Sequence, residues 1–219
     1  MSNWQEKELL DFYHTNFEFT TEQMKEYLEP LRLEPGDIFI DFGCGNGALL
    51  DYVAPLVARA VGVDISDLQL SSAAATLSRH KNIQLIKGDF LEEGRSGNRF
   101  TKGSARKTLH HLTDDEKCLF FERQRNSFTK DALFIIEDAI FTFDIQEFQE
   151  NEAMVLKEAR NYYGSRWEQI QEGFKTMLSE EYPTGFATWQ KALQCGGFEV
   201  IGRQQKTCFY GTIWARRSL

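Results

Sequence analysis

The chain has 219 residues, of which 42% are hydrophobic and 18 are phenylalanine, enough to bury a sizeable core. Acidic side chains outnumber basic ones 33 to 25, and the formal charge of −8 repels phosphate backbones, which argues against nucleic acid as a first partner. No run of apolar residues is long enough to span a membrane, and the polar start MSNWQEKELL does not read as a secretory signal, so a cytoplasmic protein is expected.

Thr20-Thr21-Glu22-Gln23 reads as a capping box, with Met24, Leu28 and Leu31 at helical spacing. Pro30 ends that helix and Pro35-Gly36 makes a turn. Strand and helix then alternate. Ile38-Phe39-Ile40 is a strand ending at Asp41, Gly43 to Gly47 is a glycine loop, and Ala48 to Val57 is helical. Ala60 to Val63 is a second strand ending at Asp64, and Ser66 caps a helix carrying Leu68, Leu70, Ala74 and Leu77. Ile83 to Ile86 is a third strand ending at Gly88-Asp89, Thr113 to Glu116 is another capping box, and Ala132 to Ile136 is a buried strand. The segment 144–182 is polar and helical, a final helix runs from Phe186 to Gln194 and stops at Gly196-Gly197, and two strands close the chain near Phe198–Arg203 and Cys208–Ala215.

This alternation predicts an α/β fold, a doubly wound, Rossmann-like parallel sheet covered on both faces. One domain is expected over 1–219: an N-terminal helical cap (1–35), a core (36–138), a helical insertion before the final helix (139–183), and a C-terminal helix with a strand pair (184–219). The insertion is either a solvated helical pair or a lid over a substrate. Cys44, Cys118, Cys195 and Cys208 lie far apart with no C-x-x-C, so reduced thiols are expected, with neither a disulfide framework nor a metal site.

The chemistry concentrates at Asp41-Phe42-Gly43-Cys44-Gly45-Asn46-Gly47-Ala48, between a strand and a helix, where a tight turn and a close ligand favour glycine. Gly43-x-Gly45-x-x-Ala48 formally fits a dinucleotide fingerprint, which leaves a nucleotide-dependent oxidoreductase as one reading. Asp41 discriminates. A pyrophosphate at this loop is repelled by a neighbouring carboxylate, whereas S-adenosylmethionine brings a sulfonium and an ammonium and no phosphate. Asp64 at the end of the second strand suits ribose hydroxyls, or is an exposed strand-end acid. Asp89 at the end of the third suits an adenine amino group with Phe90 beside it, or is a helix cap.

Asp41-x-Gly43-x-Gly45-x-Gly47, Val63-Asp64-Ile65, Gly88-Asp89-Phe90 and Leu109-His110-His111-Leu112 together resemble the class I S-adenosylmethionine-dependent methyltransferases. The resemblance covers 37–138 well and the terminal strands loosely. It implies a seven-stranded sheet with the last strand antiparallel. It also implies S-adenosylmethionine as cofactor, with Gly43, Gly45 and Gly47 along the methionine portion, Asp64 on ribose and Asp89 on adenine. Cys44, Ile65 and Phe90 fall within these motifs, and Tyr13 or Phe17 of the cap could cover the cofactor.

The stretch 94–107 departs from that pattern. Where a central apolar strand is expected stand Arg95, Arg99, Lys102, Arg106 and Lys107 with several glycines, unfavourable in a buried strand. Three readings stay open for the stretch, a short, shifted strand centred on Phe100, a segment disordered without ligand, and a local reading-frame change, while the basic cluster reads as an exposed loop rather than a nucleic-acid contact. This stretch also motivates two competitors to methyl transfer onto a small molecule: a catalytically impaired cofactor-binding module, and methylation of RNA or protein through the basic cluster. Nothing resembles the Asn/Asp-Pro-Pro-Tyr motif of base-modifying enzymes. His110 and His111 suit a general base near the methyl group, as does the rim formed by Glu137 and Asp138, against packing or capping roles for each. Tyr162, Tyr163 and Trp167 either line an acceptor pocket or form a core. His14 and His80 read as incidental.

Overall fold

The computed structural model describes residues 19–89, 91 and 99–218; Tyr13, His14, Phe17, Phe90 and Arg95 lie outside them. Thr20 caps helix α1 (Thr21–Leu28) by accepting from the Gln23 N–H, while the Gln23 side chain returns to the Thr20 N–H. Strands β1 (Ile38–Phe42), β2 (Arg59–Asp64) and β3 (Ile83–Lys87) alternate with α2 (Ala48–Val53) and α3 (Asp67–Thr76). Then come β4 (Phe100–Arg106), α4 (Asp114–Gln124), the long β5 (Phe128–Phe141), the helices α5 (Phe148–Tyr163) and α6 (Trp167–Glu180), the two-residue β6 (Thr184–Gly185), α7 (Phe186–Cys195), β7 (Phe198–Thr207) and β8 (Tyr210–Arg217).

Seven strands form a continuous sheet in the order β3-β2-β1-β4-β5-β8-β7, with β6 paired to the far end of β5. The first five are mutually parallel, and β8 runs antiparallel to both β5 and β7. The Rossmann-like sheet with an antiparallel last strand is therefore present. One face packs on α4 and α7 through Phe42, Phe120, Phe121, Phe134, Phe198 and Trp189. The other packs on α1, α2 and α3 through Tyr27, Leu28, Phe39, Leu50 and Leu77. Each buried phenylalanine contributes roughly 1.5–3 kcal/mol.

Residues Phe100–Arg106 of the stretch 94–107 form the central strand β4, which starts at Phe100 rather than centring on it, and each of its polar side chains has a partner. Thr101 donates to Asp37 at 2.7 Å. Lys102 runs its stem outward and donates to the Leu31 carbonyl at 2.7 Å. Gly103 lets Phe128 and Phe134 close over the strand, since a Cβ there would stand 2.8 and 2.6 Å from their rings. Ser104 donates to Asp41, and Arg106 lies against Glu137 and over the Phe19 ring. Polar residues are tolerated in a central strand when each is satisfied, which a composition count does not reveal.

The thiol expectation also needs correcting. Cys118 on α4 and Cys195 at the end of α7 form a disulfide between two helices on the same face, with Cα atoms 5.5 Å apart; Cys44 and Cys208 are free and buried. Helices α5 and α6 form a cluster of their own with the end of β5 and with Phe209 and Tyr210. Tyr163 and Trp167 belong to that cluster rather than to a pocket, while Tyr162 is exposed and its ring is 6.1 Å from Tyr210. No described helix is long and apolar enough to cross a membrane.

Candidate active site

The loop after β1 turns back on itself through Gly43, Gly45 and Gly47 at φ +72°, +53° and +81°. Gly43 is obligatory twice over: its φ is left-handed, and a Cβ would stand 2.2 Å from the Thr108 hydroxyl. Gly45 is different. A Cβ there would meet only the Gln69 side chain at 3.8 Å, so the backbone lies open to a ligand. Gly43 and Cys44 donate to the Val63 carbonyl, which pins the loop to β2. Cys44 is buried, packed against Gly62.

Asp41 lies under this loop, 3% exposed, opposite Ser104 of β4, which donates to it at 2.5 Å. Burial pushes its carboxyl up to about 7, although the Ser104 bond and Arg106 pull the other way. Asp64 ends β2 and accepts from the Gly45 and Ser66 N–H groups, each at 2.9 Å, so it holds the loop shape as well as facing it. Burial raises its value and those amide bonds oppose the rise. Ile65 beside it is 52% exposed and presents an apolar surface at this end of the sheet. Asp89 is exposed at the end of β3 and accepts from the Leu91 N–H at 2.8 Å.

At the far end of β4 the chain turns through Lys107 at φ +50° and enters a single helical turn, Leu109–His111. Asp138 of β5, fully buried, organises that turn. It accepts from the N–H groups of Thr108, Leu109 and His110 at 3.3, 2.9 and 3.2 Å and from His110 Nδ1 at 2.5 Å. His110 Nε2 and His111 Nδ1 lie 3.1 and 3.2 Å from the two oxygens of Glu181, which follows α6. Burial disfavours a charged His110, but Asp138 and Glu181 outweigh it and raise the imidazole to about 9. His110 therefore holds a proton at neutral pH rather than taking one. Glu181 is desolvated too, yet its bonds to the two histidines hold it well below the usual carboxylate range.

A second buried carboxylate, Glu137, faces the other side of β5. It accepts from Arg106 at 3.2 Å and from Lys206 and Tyr210 at 2.5 Å each, and the two cations with these hydrogen bonds hold its carboxyl below the usual value against the effect of burial. Lys107 lies beside this group with its ammonium pushed well below its ordinary value, first by burial and then by Arg106. An open groove of about 800 Å³ lined by Tyr27, Arg32, Ile201, Lys206, Trp214 and Arg216 lies beyond Glu137; the loop glycines, Asp64 and Asp89 take no part in it. The buried acid, the glycine loop and the histidine turn lie together at the carboxyl ends of β1 and β4.

Residues 39–128 match the family model described as a methyltransferase domain. The chain carries a methyltransferase domain. A described probable cobalt-precorrin-6B C(15)-methyltransferase (decarboxylating) of Archaeoglobus fulgidus is 40% identical over 63 residues, covering 28% of this chain and 37% of that one. A small RNA 2'-O-methyltransferase of Arabidopsis thaliana is 28% identical over 127 residues, covering 52% of this chain and 14% of that one. The methyltransferase domain thus spans well under two thirds of either curated relative. Among solved structures, geranyl diphosphate C-methyltransferase of Streptomyces coelicolor A3(2), in complex with Mg2+, geranyl diphosphate and S-adenosyl-L-homocysteine, superposes with a TM-score of 0.66 at 13% identity over 90% of this chain and 77% of that one. At that identity the likeness is one of fold.

Within the methyltransferase domain, Asp41, Gly43, Cys44, Gly45, Gly47, Asp64 and Ile65 come together at the β1 and β2 ends, with Asp89 at the neighbouring end of β3. His110 and His111 stand across Thr108 from the loop, since Thr108 packs on Gly43 and leads directly into the histidines. Glu181, Ser104 and Lys107 were not singled out as site residues from the sequence. Glu181 lies in a segment read only as polar helix, and Ser104 and Lys107 in the basic stretch 94–107. Their one advance signal is the strand pairing, which puts Ser104 opposite Asp41.

Proposed function

We propose that the chain transfers a methyl group from S-adenosylmethionine to a small-molecule acceptor. The observation that carries this is Asp41, an acid held near neutrality by burial beneath an open glycine loop. A cation beside it relieves that cost, and S-adenosylmethionine is positively charged at sulfur and nitrogen; a diphosphate meets repulsion from Asp41 and Asp64 instead. The residues fit the group. Gly43, Cys44, Gly45 and Gly47 would line the methionine portion, Asp64 has carboxylate lone pairs for the ribose, and Ile65 and Asp89 would flank and receive the adenine, with Phe90 and Tyr13 completing the set.

When bound, the cofactor supplies an electrophilic methyl carbon on a good leaving group. The chain's residues then have to align the acceptor and keep water out. The turn Thr108–His111, fixed by Asp138, faces the acceptor side. His110, whose Nδ1 is bound to Asp138, orients that turn rather than acting as a base, and His111 stands beside it. An acceptor that carries a proton also needs a base to remove it.

One feature argues against RNA: Lys102 and Arg106, part of the cluster that suggested it, are engaged inside the fold. Another argues against an impaired module: the strand whose apparent abnormality suggested it is formed and pairs with β1 and β5. Titration calorimetry tests the reading. Binding of S-adenosylmethionine and S-adenosylhomocysteine is expected, with loss of affinity for S-adenosylmethionine in Asp41→Asn. Binding of NADH, or of neither sulfur compound, overturns it.

A further inference from the structure

His110, His111 and Glu181 each offer one ligand atom, and these atoms all lie within 4.8 Å of one another. We propose that the three bind a divalent transition-metal ion through His110 Nε2, His111 Nδ1 and the Glu181 carboxylate. Two imidazoles and one carboxylate are a donor set suited to such ions, with coordination positions left over for water or another oxygen ligand.

The two carboxylate-to-imidazole spacings suit one ion. The Glu181 oxygens stand 3.1 and 3.2 Å from the two ring nitrogens. Atoms bonded at about 2.1 Å to a common ion stand about 3.0–3.4 Å apart in octahedral or tetrahedral arrangements. The support behind the ligands is already built. Asp138 accepts from His110 Nδ1 at 2.5 Å, which orients Nε2 toward Glu181, and a carboxylate behind a ligating histidine is the usual arrangement at metal centres. Asp138 is itself fixed by four backbone N–H groups, those of Thr108, Leu109, His110 and Ala139.

The segment bearing Glu181 is docked as well. The Tyr182 N–H donates to the His110 carbonyl at 2.8 Å. Lys117, buried, ties the Tyr182 and Leu112 carbonyls together at 2.7 and 2.5 Å. Charge points the same way: Asp138 and Glu181 bring two negative charges to two imidazoles, a balance that a doubly charged ion closes. The side chains of His110, His111 and Glu181 are 12%, 25% and 12% exposed, so the trio is sheltered yet reachable. Resting on the methyl-transfer reading, the ion would stand on the acceptor side of the glycine loop, because Thr108 joins the two, and would take an oxygen donor of the acceptor.

The test uses tag-free, full-length protein stripped with chelator and titrated with Co2+, followed by visible absorption, and with Zn2+, followed by calorimetry. One equivalent of each is expected, with Co2+ bands of a site containing nitrogen ligands. His111→Ala and Glu181→Gln are expected to weaken binding about tenfold or more, and Asp138→Asn about tenfold. Thermal melts of each variant show whether it is folded, and the wild-type titration stands whatever they show. No uptake by the wild type overturns the proposal, as does uptake that Glu181→Gln and His111→Ala leave unchanged, which would place the ion elsewhere. S-adenosylhomocysteine titrated into the same sample separates the two readings. Its binding without metal uptake sinks the metal site alone, and metal uptake without its binding sinks the cofactor reading alone.

Discussion

Ser104 of β4 stands directly opposite Asp41 of β1 in the parallel ladder and donates its hydroxyl to the Asp41 carboxylate at 2.5 Å. One hydroxyl is a thin shell for a buried acid, and desolvation lifts the group from 3.8 to about 7. The folded value lies above the unfolded one, so this residue favours the fold fully below pH 3.8, and that advantage drains away as pH climbs toward 7. Asp41→Asn removes the penalty. It is expected to be more stable than wild type at pH 8, by on the order of 4 kcal/mol at most, with the gap closing toward pH 4. Urea unfolding at the two pH values measures it, and a gap that does not change with pH contradicts the burial argument.

His110 titrates in a different window. Its folded value of about 9 lies above the ordinary 6.5, so its contribution is complete below pH 6.5 and disappears as pH passes 9. In chelator-treated protein, stability is expected to fall between those limits by roughly 3 kcal/mol. His110→Gln flattens the curve there. NMR of the histidine ring protons reads the titration directly, and a midpoint near 6.5 refutes the clamp between Asp138 and Glu181.

Gly103 gives a steric prediction free of any backbone effect, because its φ is not left-handed. A methyl group would press on Phe134 and Phe128 at 2.6 and 2.8 Å. Gly103→Ala is expected to destabilise by about 1–3 kcal/mol through overpacking. The midpoint of chemical denaturation reports it, and an unchanged midpoint means that the two rings have room to move.

The disulfide closes a chain segment of 77 residues between α4 and α7. Cys118→Ser with Cys195→Ser is expected to lower stability by about 2–4 kcal/mol, chiefly by freeing the unfolded chain. Reductant should produce the same drop in the wild type and none in the double variant.

The elements that carry a local signal were legible in advance. The Thr20 and Thr113 capping boxes and the Ser66 cap form as read, because each is satisfied within three residues. The glycine loop and Asp64 were legible for the same reason: tight turns are specified by the residues inside them. What depends on distant partners was not. The strand β4 looks too polar until Asp37, Leu31, Asp41 and Glu137 are brought to it. The Cys118–Cys195 bridge and the approach of Glu181 to the histidines need the folded chain, and no spacing along the sequence announces either.

Thr108 touches both halves of the site. Its hydroxyl end fills the space that a side chain at Gly43 would need, while its N–H is one of those gathered by Asp138. The loop and the histidine turn consequently share one pivot. If a ligand that tightens the glycine turn shifts affinity at the imidazoles, thermodynamic reciprocity requires a reverse shift of the same size.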